Sequence, residues 1–193
     1  MAATETTNDA VIVIKPKDEG KVEIVENPDG GTTVTTLEPV KKLELEVTEN
    51  GSLTTSGAEI RNARFSFTGQ GQIDITNDIA KDIKVLGSDV GDDVVNLGAN
   101  GEVGSEIKRA KIKTGVGADS VTAGGSFLKN VLINLGPDEE ADVVTLDTDI
   151  ASVKKMVIKN FGAEDTFVYD NTTYTFDDLQ DQPFKPNITF KFN

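Results

Sequence analysis

From residue 60 onward the apolar positions fall into a two-part unit that recurs along the chain. The first part is an apolar residue, two spacers, an apolar residue, one spacer and a third apolar residue. It reads Ile60-Ala63-Phe65, Ala80-Ile83-Val85, Ile107-Ala110-Ile112, Leu128-Val131-Ile133 and Val153-Met156-Ile158. A glycine-bearing turn follows each copy, at Gly69, Gly87, Gly115, Gly136 and Gly162. The second part is an aspartate with apolar or small residues at alternate positions after it: Asp93-Val95-Leu97, Asp119-Val121-Ala123, Asp142-Val144-Leu146 and Asp165-Phe167-Tyr169. Ile73-Ile75 is the same segment with Gly71 in place of the aspartate, and Leu43-Leu45-Val47 followed by Leu53 begins the series.

Alternation with a period of two predicts short strands with one buried face, and the Lys, Asn, Thr and Ser between the apolar positions belong in solvent. Strands this short cannot bury a face alone. Repeated at a regular pitch, they are stable by stacking, with ~4.8 Å from one rung to the next. The expected fold is therefore all-β: a right-handed parallel β-helix, or β-solenoid, of about five to six rungs and roughly 30 Å in length. A β-sandwich is the alternative source of short strands and turns, but its hairpins do not need the same glycine and aspartate in each unit. Only Asp149 to Lys155 suggests a helical turn.

The two ends read differently. Residues 1–40 form a β-rich arm or N-terminal cap, with candidate strands at Val11 to Ile14 and Lys21 to Glu26 and a turn at Asn27-Pro28-Asp29-Gly30-Gly31 leading into Thr32 to Leu37. Residues 41–180 are the solenoid with its terminal cap, where a hairpin from Tyr169 to Phe176 brings aromatic rings over the open end of the stack. Residues 181–193 are a C-terminal tail whose alternation after Pro183, from Ile188 to Phe192, predicts a further strand. That strand pairs either with its own domain or with a neighbouring chain.

Composition narrows the chemistry. The 193 residues contain no Cys and no His, which removes disulfides, thiol nucleophiles, the commonest general base and the commonest transition-metal ligand. With 33 acids against 19 bases the net charge is −14, the wrong sign for binding nucleic acid through its phosphates or for an anionic membrane. The segment from Met1 to Ala10 lacks the basic and apolar regions of a secretory signal, and no apolar run approaches the ~20 residues needed to span a bilayer. No Ser-His-Asp set, P-loop or dinucleotide fingerprint is present, and carboxylate pairs are commonplace in so acidic a chain. The expectation is a non-catalytic protein.

Gly115-Val116-Gly117-Ala118-Asp119-Ser120-Val121 resembles the calcium-binding RTX nonapeptide family, with weaker matches at Gly91 to Val95, Gly136 to Val144 and Gly162 to Phe167. The closing segment from Ile158 to Gly162 and from Tyr174 to Leu179 is similar to the one that ends RTX-like blocks, so the likeness spans about residues 80 to 180. The paired glycine of the family unit is missing here, and the aspartates lie 26, 23 and 23 residues apart instead of recurring with each nonapeptide. The resemblance implies a solenoid acting outside the producing cell. Degenerate blocks of this style are also similar to structural proteins of tailed phages, including those of marine cyanobacteria.

In-register rungs would bring Asp93, Asp119, Asp142 and Asp165 into a column, with Asp89, Asp92, Asp138, Glu139, Glu140 and Glu164 nearby. Stacked carboxylates repel, and a Ca2+ ion, assisted by turn carbonyls, would relieve them. The other reading is that each aspartate caps a turn by accepting backbone N–H bonds. The expected role is a virion structural protein (decoration, fibre or appendage) whose partners are other structural proteins or copies of itself, with cell-surface glycan as a further candidate. The alternative is a type I-secreted, RTX-like, calcium-binding bacterial surface or adhesion protein; a small polysaccharide-active β-helix enzyme is more remote.

Overall fold

The computed structural model describes residues 3–14, 16–28, 30–98, 105–137, 139–180 and 184–193. Met1, Ala2, Asp29, Asp138 and Pro183, which the sequence places in the N-terminal segment, a turn, the acidic surroundings of the aspartates and the tail, lie outside the described residues.

The repeating unit winds into a parallel β-solenoid of about six turns. The second parts of the unit form one sheet. Gly71–Ile75, Asp93–Leu97, Ser120–Gly124, Val143–Asp147 and Thr166–Tyr169 pair in parallel, each in register on the next. Gly51–Gly57 and Thr32–Thr36 extend that sheet toward the N-terminus, also in parallel. Parallel pairing throughout the stack rules out the sandwich, whose neighbouring strands run antiparallel.

The first parts of the unit form the other sheet, and its geometry explains their spacing. Each is two short strands meeting at a corner, as in Glu59–Arg61 with Arg64–Phe67, or Ile79–Lys81 with Lys84–Leu86. The residue at the corner is left-handed: Lys42 (φ 64°), Asn62 (52°), Asp82 (55°), Arg109 (59°) and Asn130 (56°). The first spacer points outward from a strand and the second is the corner, so the residue after it points inward again. In Phe127–Asn134 the two strands merge into one bent strand, and its neighbour Val153–Phe161 crosses the same place through a register shift. All fifteen apolar residues of the five first-part sets are at most 2% exposed.

Where the chain passes from one sheet to the other, backbone packs on backbone. A Cβ on Gly87 would lie 1.3 Å from the Thr114 carbonyl oxygen, and one on Gly115 (φ 130°) would lie 1.8 Å from that of Ser88. Both positions must be glycine for adjacent turns to close up.

The N-terminal region folds onto the stack as its first layers. Ala10–Ile14 pairs antiparallel with Glu44–Val47 and with Ala3–Thr6, and Val22–Glu26 pairs antiparallel with Thr32–Thr36. Ala10, Ile12, Ile14 and Val34 belong to the same apolar core as the repeats. At the other end, Thr166–Tyr169 and Thr172–Thr175 form the hairpin, and Ile188–Phe192 adds in parallel to Val153–Phe161 of its own chain. Phe167 there meets the rings of Tyr174, Phe184 and Phe190 at 6.3, 5.1 and 5.2 Å. Among the described residues helix is limited to the single turn Ile150–Ser152, capped by the Asp149 carboxylate on the Ala151 N–H, the turn Pro16–Asp18 and Phe176–Gln180.

Candidate functional site

Parallel register carries the four repeat aspartates into one column. Asp93, Asp119, Asp142 and Asp165 are 1, 1, 2 and 4% exposed, so the column lies inside the molecule, where the sheet strands begin. Its geometry is a ladder of charge-assisted hydrogen bonds. The backbone N–H of Asp93 donates to Asp119 Oδ1 at 2.7 Å, that of Asp119 to Asp142 Oδ1 at 2.8 Å, and that of Asp142 to Asp165 Oδ1 at 3.0 Å. The Asp119, Asp142 and Asp165 carboxylates thus each hold the backbone where the strand of the preceding turn begins, while Asp93 Oδ1 is buried without a hydrogen-bond partner. The ladder also reaches into its own turns, since Ser88 N–H donates to Asp93 Oδ2 and Gly162 N–H to Asp165 Oδ2, both at 2.7 Å. Nearer the surface Asp92 makes a bond of the opposite sense, its Oδ1 accepting the Ala118 N–H of the following turn at 2.9 Å.

The column starts at Asp93 for a steric reason. Gly71 and Gly51 stand in register before it, and a Cβ on Gly71 would meet Gly51 O, Val47 and Phe67 at 3.0 to 3.1 Å. In those turns Phe67 and Val47 supply the filling that the aspartates supply later.

Burial pushes the Asp93 carboxyl up to about 6. The Ser88 N–H opposes that shift, and the like charge of Asp119 adds to it. At 1% exposure the group faces the Ser88 N–H and not solvent. Among the described residues no group of three or more acidic side chains is arranged to hold a metal ion. N–H donors occupy the Oδ1 atoms of Asp119, Asp142 and Asp165, which a cation would have to displace. Of the described acids that flank the column, Asp89 and Asp92 on one turn and Glu139, Glu140 and Glu164 on the last two are open to solvent. The last three line a shallow concavity with Gly162 and Asn193.

No family model matches the chain, and no curated protein or solved structure is found similar to it. The reading of its chemistry therefore rests on the residues themselves.

Two features escape the sequence pattern. Asn77 is fully buried at the opposite edge of the same sheet, where its Nδ2 donates to Thr36 Oγ1 at 3.0 Å, Ser56 O at 2.7 Å and Ala58 O at 3.1 Å. A lone asparagine after a strand gives no sign of this; the hint is that glycines, Gly57 and Gly98, stand after the strands on either side. The second feature is the pairing of charges across turns. Arg109 bonds Asp82 of the preceding corner through Nε and Nη2, and Glu59 binds both Arg61 and Lys81. The hydrogen bond from Arg61 leads in holding the Glu59 carboxyl down at about 2.

Proposed function

We propose that the protein is a non-catalytic structural element, a capped β-solenoid that acts by displaying its outer faces. The observation that carries this reading is the aspartate column. The most regular set of functional-looking side chains in the molecule is buried and bonded to backbone N–H groups from turn to turn, which is the work of a scaffold. In its specific form the reading is a virion component of a tailed phage, a decoration, fibre or appendage protein that docks on other structural proteins or on copies of itself. The similarity in style to such proteins supports it. Peptide mass spectrometry of purified virions tests it: stoichiometric recovery is expected, and absence from every virion preparation overturns the assignment.

The acidic concavity at Glu139, Glu140 and Glu164 favours a second reading, an extracellular, RTX-like, calcium-binding surface protein. Melting the protein with calcium and with a chelator separates the two. The structural reading expects the same midpoint in both buffers, whereas a midpoint raised by calcium moves the assignment to the second. Acidic polysaccharides incubated with the protein are expected to yield no unsaturated products.

A further inference from the structure

Charge in this molecule is sorted by face. The parallel strands and corners of the bent sheet, residues 40–47, 59–67, 79–86, 106–113, 127–134, 153–161 and 188–192, carry fifteen of the nineteen Lys and Arg against five acids. The rest of the chain carries four bases and twenty-eight acids. The overall charge of −14 is thus a sum of +10 over these strands and corners and −24 over the rest of the sequence.

Register turns that excess into lines. Lys41, Arg61, Lys81, Lys108, Lys129 and Lys155 occupy one position in successive turns. At ~4.8 Å per turn the line is about 24 Å long. Across the corner Arg64, Lys84 and Lys111 form a second, parallel line. Glu59 and Glu106 neutralise part of the first line through Arg61, Lys81 and Lys108. Arg64, Lys84, Lys111 and Lys129 are exposed and form no salt bridge among the described residues. Register roots these cations one rung apart, so their charges repel along the line.

We propose that this face binds a linear anionic glycan, bearing carboxylate or sulfate groups, laid across the turns along the solenoid axis. A polymer with one anion per sugar meets a cation at each turn and relieves the repulsion along the line. Half-buried Leu86, Leu132 and Val157 stand among the cations and give the sugar rings' C–H faces an aliphatic floor. Nucleic acid fits less well. Single strands are held by rings on which bases stack. Here Phe127 is the one ring at an outward position in these strands, and the Lys108 ammonium covers it at 5.6 Å from the centroid. A duplex would overhang the stripe and bring its phosphates against the acids of Glu44, Glu46 and the turn edges.

The experiment is calorimetric titration of the full chain with polygalacturonate, heparin, neutral dextran and single- and double-stranded DNA, at low and at physiological salt. Binding to the two anionic glycans and not to dextran is expected. The triple variant Lys84→Ala, Lys111→Ala, Lys129→Ala should lower the slope of log K against log salt by about 2, the loss for three charge contacts on a linear polyanion. Lys185→Ala, on an exposed residue outside the face, should leave binding unchanged. A melting curve establishes that the triple variant is folded. No binding to either glycan at low salt, binding that the triple variant keeps in full, or tighter binding to DNA than to both glycans overturns the proposal. The inference rests on the non-catalytic reading only in that the polymer is held and not cut. Cleaved product would sink that reading and leave the binding result standing, while absence of binding would leave the scaffold reading intact.

Discussion

Replacing Asp119 by alanine tests the aspartate ladder where it is most enclosed. Asp119 Oδ1 receives the Asp93 N–H at 2.7 Å, and both residues are 1% exposed, so water cannot take the acceptor's place. An N–H left without a partner in the interior costs about 1–3 kcal/mol, and the upper half of that range applies where the lost acceptor was charged. Removing the charge also lifts the repulsion that Asp119 exerts on Asp93, which offsets part of the loss. The expected net cost of Asp119→Ala is about 2 kcal/mol, or a melting point lower by about 4–8 °C for a chain of this size. Asp119→Asn keeps a carbonyl oxygen for the Asp93 N–H while discarding the charge, and should cost less than about 1 kcal/mol. Urea unfolding of both variants, in calcium and in chelator, reads the difference. The ladder argument predicts the same ranking in both buffers. An alanine variant as stable as the parent, or a loss seen only with calcium present, would show that the carboxylate's partner is not the backbone amide.

Asp93 predicts a pH dependence of definite sign. Its carboxyl rises from the ordinary aspartate value to about 6 on folding, so the folded state holds the proton more tightly than the unfolded chain. Its contribution favours folding most below pH ~4 and is lost as pH climbs to about 6, by about 3 kcal/mol across the window. Chemical unfolding across that window should show the decline in the parent relative to Asp93→Asn, and parallel curves would refute it. The left-handed corner at Asn130 (φ 56°) should lose about 1 kcal/mol on change to alanine and little on change to glycine, read as melting points. Phe167→Ala, which removes a fully buried ring from the aromatic end, should cost about 3–5 kcal/mol. Hydrogen exchange should show the protection lost first in Thr166–Tyr169 and Thr172–Thr175.

The stacking, the core positions and the aspartate column were legible because each depends on a residue type repeated at fixed spacing. Ile60-Ala63-Phe65 and its four counterparts fill the interior as the pattern requires. The sequence did not reveal that the first part of each unit bends. The corner residue varies among Lys, Asn, Asp and Arg, so its left-handed backbone leaves no shared letter behind. Asn77 was invisible for the opposite reason: it occurs once, and its partners Thr36, Ser56 and Ala58 come from two earlier turns. The cationic face escaped notice because net charge sums over the whole chain, whereas register sorts charges by position within the turn. Lys108, Lys129 and Lys155 look like ordinary solvent-facing spacers until the ladder places them one above another.

Reversed strands close both ends of the aspartate-bearing sheet. A parallel stack has no internal reason to stop, because every turn offers the next one the same row of amides and carbonyls. Val22–Glu26 at one end of that sheet, and Thr172–Thr175 at the other, run against the direction of winding and present a newcomer with the wrong polarity. Trimming the first 36 residues would uncover the unreversed row of Gly51–Gly57, and with that edge open the repeat would become a template for end-to-end growth into filaments.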